Sequence, residues 1–488
     1  MNKQYFRYLA HSYRYLIAFF FAVYFSLSIL YAMPSDAYFR TYEMCRIAGV
    51  LSVCACFVLP ILLFTFVHKR SSADVYHALP ISRKEHRITI LLFCFAVIFG
   101  YFLLTCLFGY LFYGIGRVRI LSVLAMLGYM AFAILTLLAV NSALYLLGNN
   151  ILDGLVILAA YSLFILPCLI AEGVITERMI AGTNTFFSGS VAYLLSPFVI
   201  LLHNFFNLTS YQSGIQYGFR ILYLVVAVVY LVLGWFGLKQ EFDKRRSERA
   251  EAISDHPLAY PTVINMYAII LLLVIGSSVV RQFSYDAILA YLAVLVCYTA
   301  GTFLYRRKIE IDIRRTGIFF LEAIITLALM WACWKTKGFG MAYRYSLNQG
   351  YVLTYEYSAA VEEDDLGKHF EKEQNVYVHF TLYFSTDELD RNAELIRLLE
   401  QKRHEAIESF YRKYEDYSVT LRVYNREKHS DSVINDYQYH PEVLFTEEEL
   451  NYISQYTDVI VQDYGNYEVW EGNEVSLEDY LDWRNNKN

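Results

Sequence analysis

The residues best equipped for chemistry are few in this 488-residue chain, and their spacing argues against catalysis. Gly367-Lys368 comes nearest to a phosphate-binding loop, but His369 follows it and no glycine stands at the spacing that would cradle a phosphate. The chain thus carries no sign of hydrolysing ATP itself. There is no H-E-x-x-H, no G-x-S-x-G and no histidine-kinase-like catalytic set. Cys54 and Cys56 share an apolar run, where thiols pack far more often than they bind metal. The eleven histidines are scattered without ligand spacing. The expectation is a protein that is not an enzyme, with no catalytic, cofactor-binding or metal-ligating residues. One ionisable side chain stands out. Glu322 lies inside the last long apolar run, where an acid costs about 3 kcal/mol unless it is paired or faces water. It marks a proton or substrate path, or it is a structural partner for Arg315 or a neighbouring span; the sequence leaves both open.

The elements that position these residues are built for lipid. Only 18% of residues are charged, against about a quarter in an average globular protein, and the mean hydropathy is +0.33. Several ordinary soluble domains are excluded, and so is disorder, because 44 Tyr and 35 Phe are far too many. Crossing a bilayer takes roughly 20 apolar residues. Nine such runs occur, at 15–33, 47–67, 89–112, 120–147, 151–170, 219–238, 263–280, 287–305 and 317–335. Short basic connections stay in the cytoplasm. The N-terminus (Lys3, Arg7, Arg14) and the second, sixth and eighth connections are basic, and all fall on one side if the N-terminus is inside. Nine crossings then place residues 336–488 outside. The charge split agrees with this division. Residues 1–335 hold 26 Lys+Arg against 16 Asp+Glu, and residues 336–488 hold 15 against 31.

Between the runs, residues 1–14 place Lys3, Arg7 and Arg14 on one helical face, the pattern of a helix at the lipid headgroups or of a simple basic flank. In 68–87, Ser71 to Leu79 form a two-turn helix that Pro80 ends, and Ser82 with Glu85 caps the next helix. That short helix is either a solvated elbow or, through Tyr76, His77 and Leu79 beside Asp74, a surface for a cytoplasmic partner. Residues 191–206 are apolar but too short to cross, and Pro197 interrupts them, so a re-entrant or interfacial hairpin is expected. Residues 241–262 read as a charged cytoplasmic linker between a six-span core (1–240) and a three-span annex (263–335).

The expected fold class is therefore a polytopic α-helical membrane protein with a C-terminal soluble α+β domain. In that domain, strands are expected at 351–358, 376–384, 419–424, 437–445, 459–462 and 467–470. Capping boxes at Ser385 and at Thr446 with Glu449 open helices, and a last helical piece falls near 477–483. All eight cysteines precede the domain, so it must stand on its core without disulfides. Its acidity draws cationic ligands or serves only as a solubility coat.

Three stretches carry a resemblance. They are ADVYHALPISRKE (73–85), with Asp74, His77, Leu79, Pro80 and Arg83 in a D-x-x-H-x-L-P-x-x-R pattern; KRRSERAE (244–251) after the sixth span; and Leu195-Ser196-Pro197 between the fifth and sixth spans. With the basic N-terminal segment, they resemble the permease subunits of type-2 ABC exporters of Gram-positive bacteria, in a subgroup with three extra spans and an extracytoplasmic α+β domain. The resemblance implies a plasma-membrane exporter subunit without cofactors of its own. It implies that Asp74, Tyr76, His77, Leu79, Pro80 and Arg83, in the loop 68–88, dock on a separate ABC ATPase, and that 195–197 belong to a re-entrant segment. A second permease subunit, identical or related, and membrane lipid would be its other partners, and nucleic acid would not. Antimicrobial peptides or envelope components are the implied cargo. The competing expectation is a membrane-anchored sensor or immunity protein, whose acidic ectodomain binds a ligand without any ATPase.

Overall fold

In a computed structural model the chain is described except at residues 1, 36–38, 116–117, 182–190, 210–220, 253, 255, 282, 307–308, 310–312, 344–350, 361–374, 384–392, 413–418, 426–432, 440–445, 457–459, 465–472 and 476–488; the strands and positions 77, 191, 247, 406, 409 and 447 are described by backbone alone. The described helices are α1 (Lys3–Ser12), α2 (Arg14–Ala32), α3 (Arg40–Phe64), α4 (Arg70–His77), α5 (Arg83–Gly109), α6 (Ile120–Leu146), α7 (Ile151–Leu163), α8 (Ile165–Met179), α9 (Pro197–Thr209), α10 (Ile221–Asp243), α11 (Tyr260–Arg281), α12 (Tyr285–Arg306), α13 (Ile313–Lys335), α14 (Ala393–Arg412) and α15 (Glu447–Ile453). Among the described residues, nine helical stretches are long and apolar enough to cross a membrane, with α7 and α8 together forming one of them. This is a multi-pass helical membrane protein. By packing, the chain falls into two compact units, 1–169 with 191–267 and 298–311, and 170–190 with 268–297 and 312–488.

In the first unit, polar side chains fix how neighbouring spans pack. The Tyr24 hydroxyl of α2 donates to the Ala48 carbonyl at 2.6 Å and lies 2.8 Å from the Ser52 hydroxyl, both on α3. Asn141 of α6 donates to the Cys56 carbonyl at 3.0 Å, and Tyr129 donates to the Leu201 carbonyl of α9 at 3.0 Å. Each joins groups that would otherwise lie unsatisfied away from water. Small residues allow close approach where helices cross. A Cβ on Gly234 of α10 would lie 2.8 Å from the Val140 amide nitrogen of α6, and one on Gly49 would sit 2.2 Å from the Phe205 ring. Cys56 is buried and Cys54 exposed, so the two thiols part company and make no pair.

α1 lies against α5. Asn2 caps it by accepting the Gln4 and Tyr5 amides, its own amide donates to Thr89 at 3.0 Å, and Tyr5 and Leu9 are buried while Lys3 and Arg7 are exposed. The expected cap of α5 is present in altered form. Ser82 accepts the Glu85 amide, and the Glu85 carboxylate accepts the Ser82 hydroxyl rather than its backbone.

Residues 171–179, which the apolar pattern leaves outside the membrane, continue α8. Thr176 there folds its hydroxyl back onto the Glu172 carbonyl and so stays compatible with the helix.

In the second unit, β1 (Tyr351–Ala360), β2 (Asn375–Tyr383), β3 (Val419–Asn425), β4 (Val433–Tyr439), β5 (Ile460–Tyr464) and β6 (Asn473–Val475) form an antiparallel sheet in the order β4-β3-β1-β2-β5-β6. β4 begins earlier than the pattern suggests. The expected box at Ser385, the strand at 467–470 and the last helical piece lie outside the described residues, as does the Gly367 to His369 stretch. The Thr446 and Glu449 capping box forms in both directions. Helix α14 buries Leu395, Ile396, Leu399, Ile407 and Phe410. Tyr411 donates to the Met179 carbonyl of α8 at 3.0 Å, and its ring stands edge-on to Trp334 of α13 at 4.8 Å. Lys337 and Tyr343 both reach the Glu408 carboxylate. Lys337, Gly338, Phe339 and Gly340 take left-handed backbone in succession. The turn is tight because a side chain on Gly338 would strike Ile180.

Candidate functional site

The short helix α4 is held by an aromatic stack rather than by a cap. Phe66, in the 3-10 turn Thr65–His68, places its ring 4.2 Å from Tyr76 and 5.2 Å from His86 of α5. His86 meets Tyr5 of α1 edge-on at 4.7 Å, and its Nε2 is 2.8 Å from the Tyr5 hydroxyl. On another side His86 meets Phe242 of α10 at 5.8 Å. Rings in contact thereby connect α4 to the ends of α1, α5 and α10.

Arginines tie the same end of the bundle together. Arg83 donates to the carbonyls of Asp243 and Arg245 at 3.0 and 2.7 Å, satisfying the open C-terminus of α10. Arg87 is paired with Asp243 at 3.1 Å. Arg245 is buried and donates to the carbonyls of Leu146 and Gly148 at 2.6 and 2.8 Å, closing the end of α6. Burial lowers its pKa to about 10, so it stays charged at neutral pH. Ser254 donates to Leu147, and the Glu251 amide to Asn149. Arg70 reaches Glu248 and Glu251. The linker after α10 is thus latched to the turns after α3 and α6, which makes this end of the unit one connected piece.

The residues singled out in the sequence divide. Tyr76 and Leu79 are partly buried and pack inward on the core. Arg83 is spent on the carbonyls of α10. Asp74, Val75, Ala78 and Pro80 are exposed, and Val75, 66% exposed, is the apolar residue of α4 turned outward. The side chain of His77 lies outside the described residues. No family model, no curated protein and no solved structure matches the chain. What the site does must therefore be argued from its own geometry.

Leu195, Ser196 and Pro197 form a helix entry. Ser196 is buried, its hydroxyl accepts the Val199 amide at 3.5 Å, and Pro197 takes the first helical position, where its missing N–H is not needed. Leu195 and Pro197 line a cavity of about 340 Å³ between α6, α7 and α10, whose far wall holds Gln240, Glu241 and His256. Glu241 and His256 face one another there at 3.4 Å. One cavity therefore reaches from the 195–197 turn to the latched linker.

Glu322 is half-buried on α13, and its Oε2 has no hydrogen-bond partner among the described residues. Among the described residues no three His, Cys, Asp or Glu converge as a metal site would require.

Sequence reasoning missed Phe66, Phe242 and Arg245. Arg245 sits in a basic run that topology alone explains, and nothing in the run marks which member is buried. The missing signal was an accounting one, since the end of α6 needs donors for its open carbonyls.

Proposed function

We propose that the chain is the membrane-spanning permease subunit of an ATP-driven exporter, coupled to a separate ABC ATPase through residues 68–88. The observation that carries this reading is α4. A two-turn helix with an outward Val75, flanked by Asp74, Ala78 and Pro80, rests on a ring stack that joins three helix ends. An elbow that served only to connect two spans would need no such seat. Nucleotide-driven closure beneath α4 would move α1, α5 and α10 and open or close the cavity along α6 and α10. Export of antimicrobial peptides or envelope components fits a cavity with apolar walls and one acidic corner at Glu241. In this reading the protein sits in the plasma membrane of a Gram-positive bacterium, pairs with a second permease subunit, keeps its N-terminus in the cytoplasm and carries residues 336–488 outside as a soluble α+β domain.

The test is co-purification. Val75→Glu places a charge on the docking face without touching the stack, and the ATPase should be lost from the purified complex; retention at the wild-type level contradicts the proposal. The second reading, a sensor or immunity protein, draws support from α14, which is bonded to the ends of α8 and α13 through Tyr411 and Glu408. It requires full function in cells that lack any cognate ATPase.

A further inference from the structure

A second groove in the first unit, apart from the cavity at 195–197, combines an apolar floor with a basic mouth. It measures about 480 Å³ and runs between α5, α6 and α10, with Ile88, Leu92, Leu135, Val232, Trp235 and Phe236 among its walls. Leu92, Leu135, Val232, Trp235 and Phe236 are exposed within stretches long and apolar enough to cross a membrane, so in a bilayer this floor is open to lipid. The wall residues recur at helical spacing, and the same stripes continue for one more turn. On α5 the step back from Ile88 is Lys84; on α10 the step on from Trp235 is Lys239. Both lysines are exposed. The pair between Arg87 and Asp243 shows that the start of α5 meets the end of α10, which puts both lysines at the same mouth. From Lys84 to Leu92 the groove extends about 12 Å along α5 at 1.5 Å per residue.

The mouth is electrostatically open to an anion. Arg87, 2% exposed, lies with its guanidinium 5.3 Å over the Trp235 ring and meets Asp243 through Nη2, while its Nε and Nη1 have no hydrogen-bond partner among the described residues. Of the acids nearby, Asp243 is paired with Arg87, Glu85 accepts the Ser82 hydroxyl and keeps its charge, and Glu241 lies 3.4 Å from His256. Among the described residues neither Lys84 nor Lys239 is in an ion pair, and both are exposed.

We propose that this groove is a seat for one anionic phospholipid of the adjoining leaflet, with the headgroup-proximal part of an acyl chain along Ile88, Leu92, Val232 and Trp235 and the phosphate between Lys84 and Lys239. The seat depends on the protein being embedded in a membrane and not on any ATPase. Native mass spectrometry of the full chain, released from bilayers of equal phosphatidylglycerol and phosphatidylcholine, tests it. One tightly held phosphatidylglycerol is expected. The pair Lys84→Gln and Lys239→Gln should weaken its retention about fivefold for each lysine. Val232→Trp, which fills the groove from a lipid-facing position, should release it with both lysines in place. Equal retention of the two lipids by the wild type overturns the proposal. So does a phosphatidylglycerol that survives Val232→Trp, since that lipid would be held by surface charge alone. A second copy of the chain, displaced by Val232→Trp, would make the groove a protein interface and overturn it as well. Unfolding midpoints of the variants, taken alongside, separate loss of lipid from loss of fold.

Discussion

The rings of Tyr76 and Phe66 lie 4.2 Å apart, and this pair seats α4 on the rest of the bundle. It assigns opposite jobs to neighbouring residues on one helix. Tyr76 anchors, and Val75 faces away.

That division can be tested by substitution. Tyr76→Ala should loosen α4 and lower stability by on the order of 1–2 kcal/mol, from lost apolar burial and one aromatic pair. Val75→Glu should leave stability within about 0.5 kcal/mol, as exposed substitutions do. Thermal unfolding in detergent reads both. A larger loss at Val75 than at Tyr76 would reverse the assignment.

Arg245 should tolerate no replacement that forfeits its two carbonyls. Arg245→Met leaves the carbonyls of Leu146 and Gly148 without their donor, and a loss of about 3 kcal/mol is expected. The sign of its titration is also fixed. Burial depresses its folded pKa to about 10, below the ordinary value of 12.5, so between those limits the unfolded chain binds more protons and this group's contribution rises with pH. Below about pH 10 it is flat. Wild type and Arg245→Met should therefore keep a constant difference in unfolding midpoint from pH 7 to 9; a difference that widens across that window would show a guanidinium already losing its proton.

Gly234 faces backbone rather than a movable side chain. Gly234→Ala would bring a methyl to 2.8 Å from the Val140 amide nitrogen, and the overpacking should cost about 1–3 kcal/mol. Gly128, whose Cβ would meet nothing within 4 Å, supplies the control, and Gly128→Ala should be neutral or stabilising.

Glu322→Gln tests whether the acid in α13 drives transport. Under ATP-driven export the variant should move cargo at the wild-type rate, measured as efflux or as resistance of the host. Loss of transport with the protein still folded would point to ion coupling instead.

Much of this molecule could be read from its residues, for physical reasons that also mark where reading stops. Runs of about twenty apolar residues have few alternatives to crossing a bilayer, so each of the nine falls within a membrane-crossing stretch or overlaps it. Pro80 and the pair of Ser82 and Glu85 bracket α4 and α5 because both act through local geometry. The inward turn of Tyr76 was not legible. On a two-turn helix an aromatic side chain suits a partner surface and a buried seat equally well, and only Phe66 and His86, brought in by tertiary packing, decide between them. The bonds of Arg83 were not legible for a related reason, because the open carbonyls of α10 come beside it only through tertiary packing. The cavity at 195–197 required knowing that Gly234 and Gly237 line α10 opposite that turn, which no local pattern states.

The most direct measurement is photo-crosslinking in intact membranes from a reactive side chain placed at position 75. The account predicts an adduct with a nucleotide-binding subunit whose yield changes when ATP is supplied, and none from position 76, which faces Phe66. No adduct from position 75 in cells where the protein is fully functional, or full function after every cognate ATPase has been deleted, would contradict it.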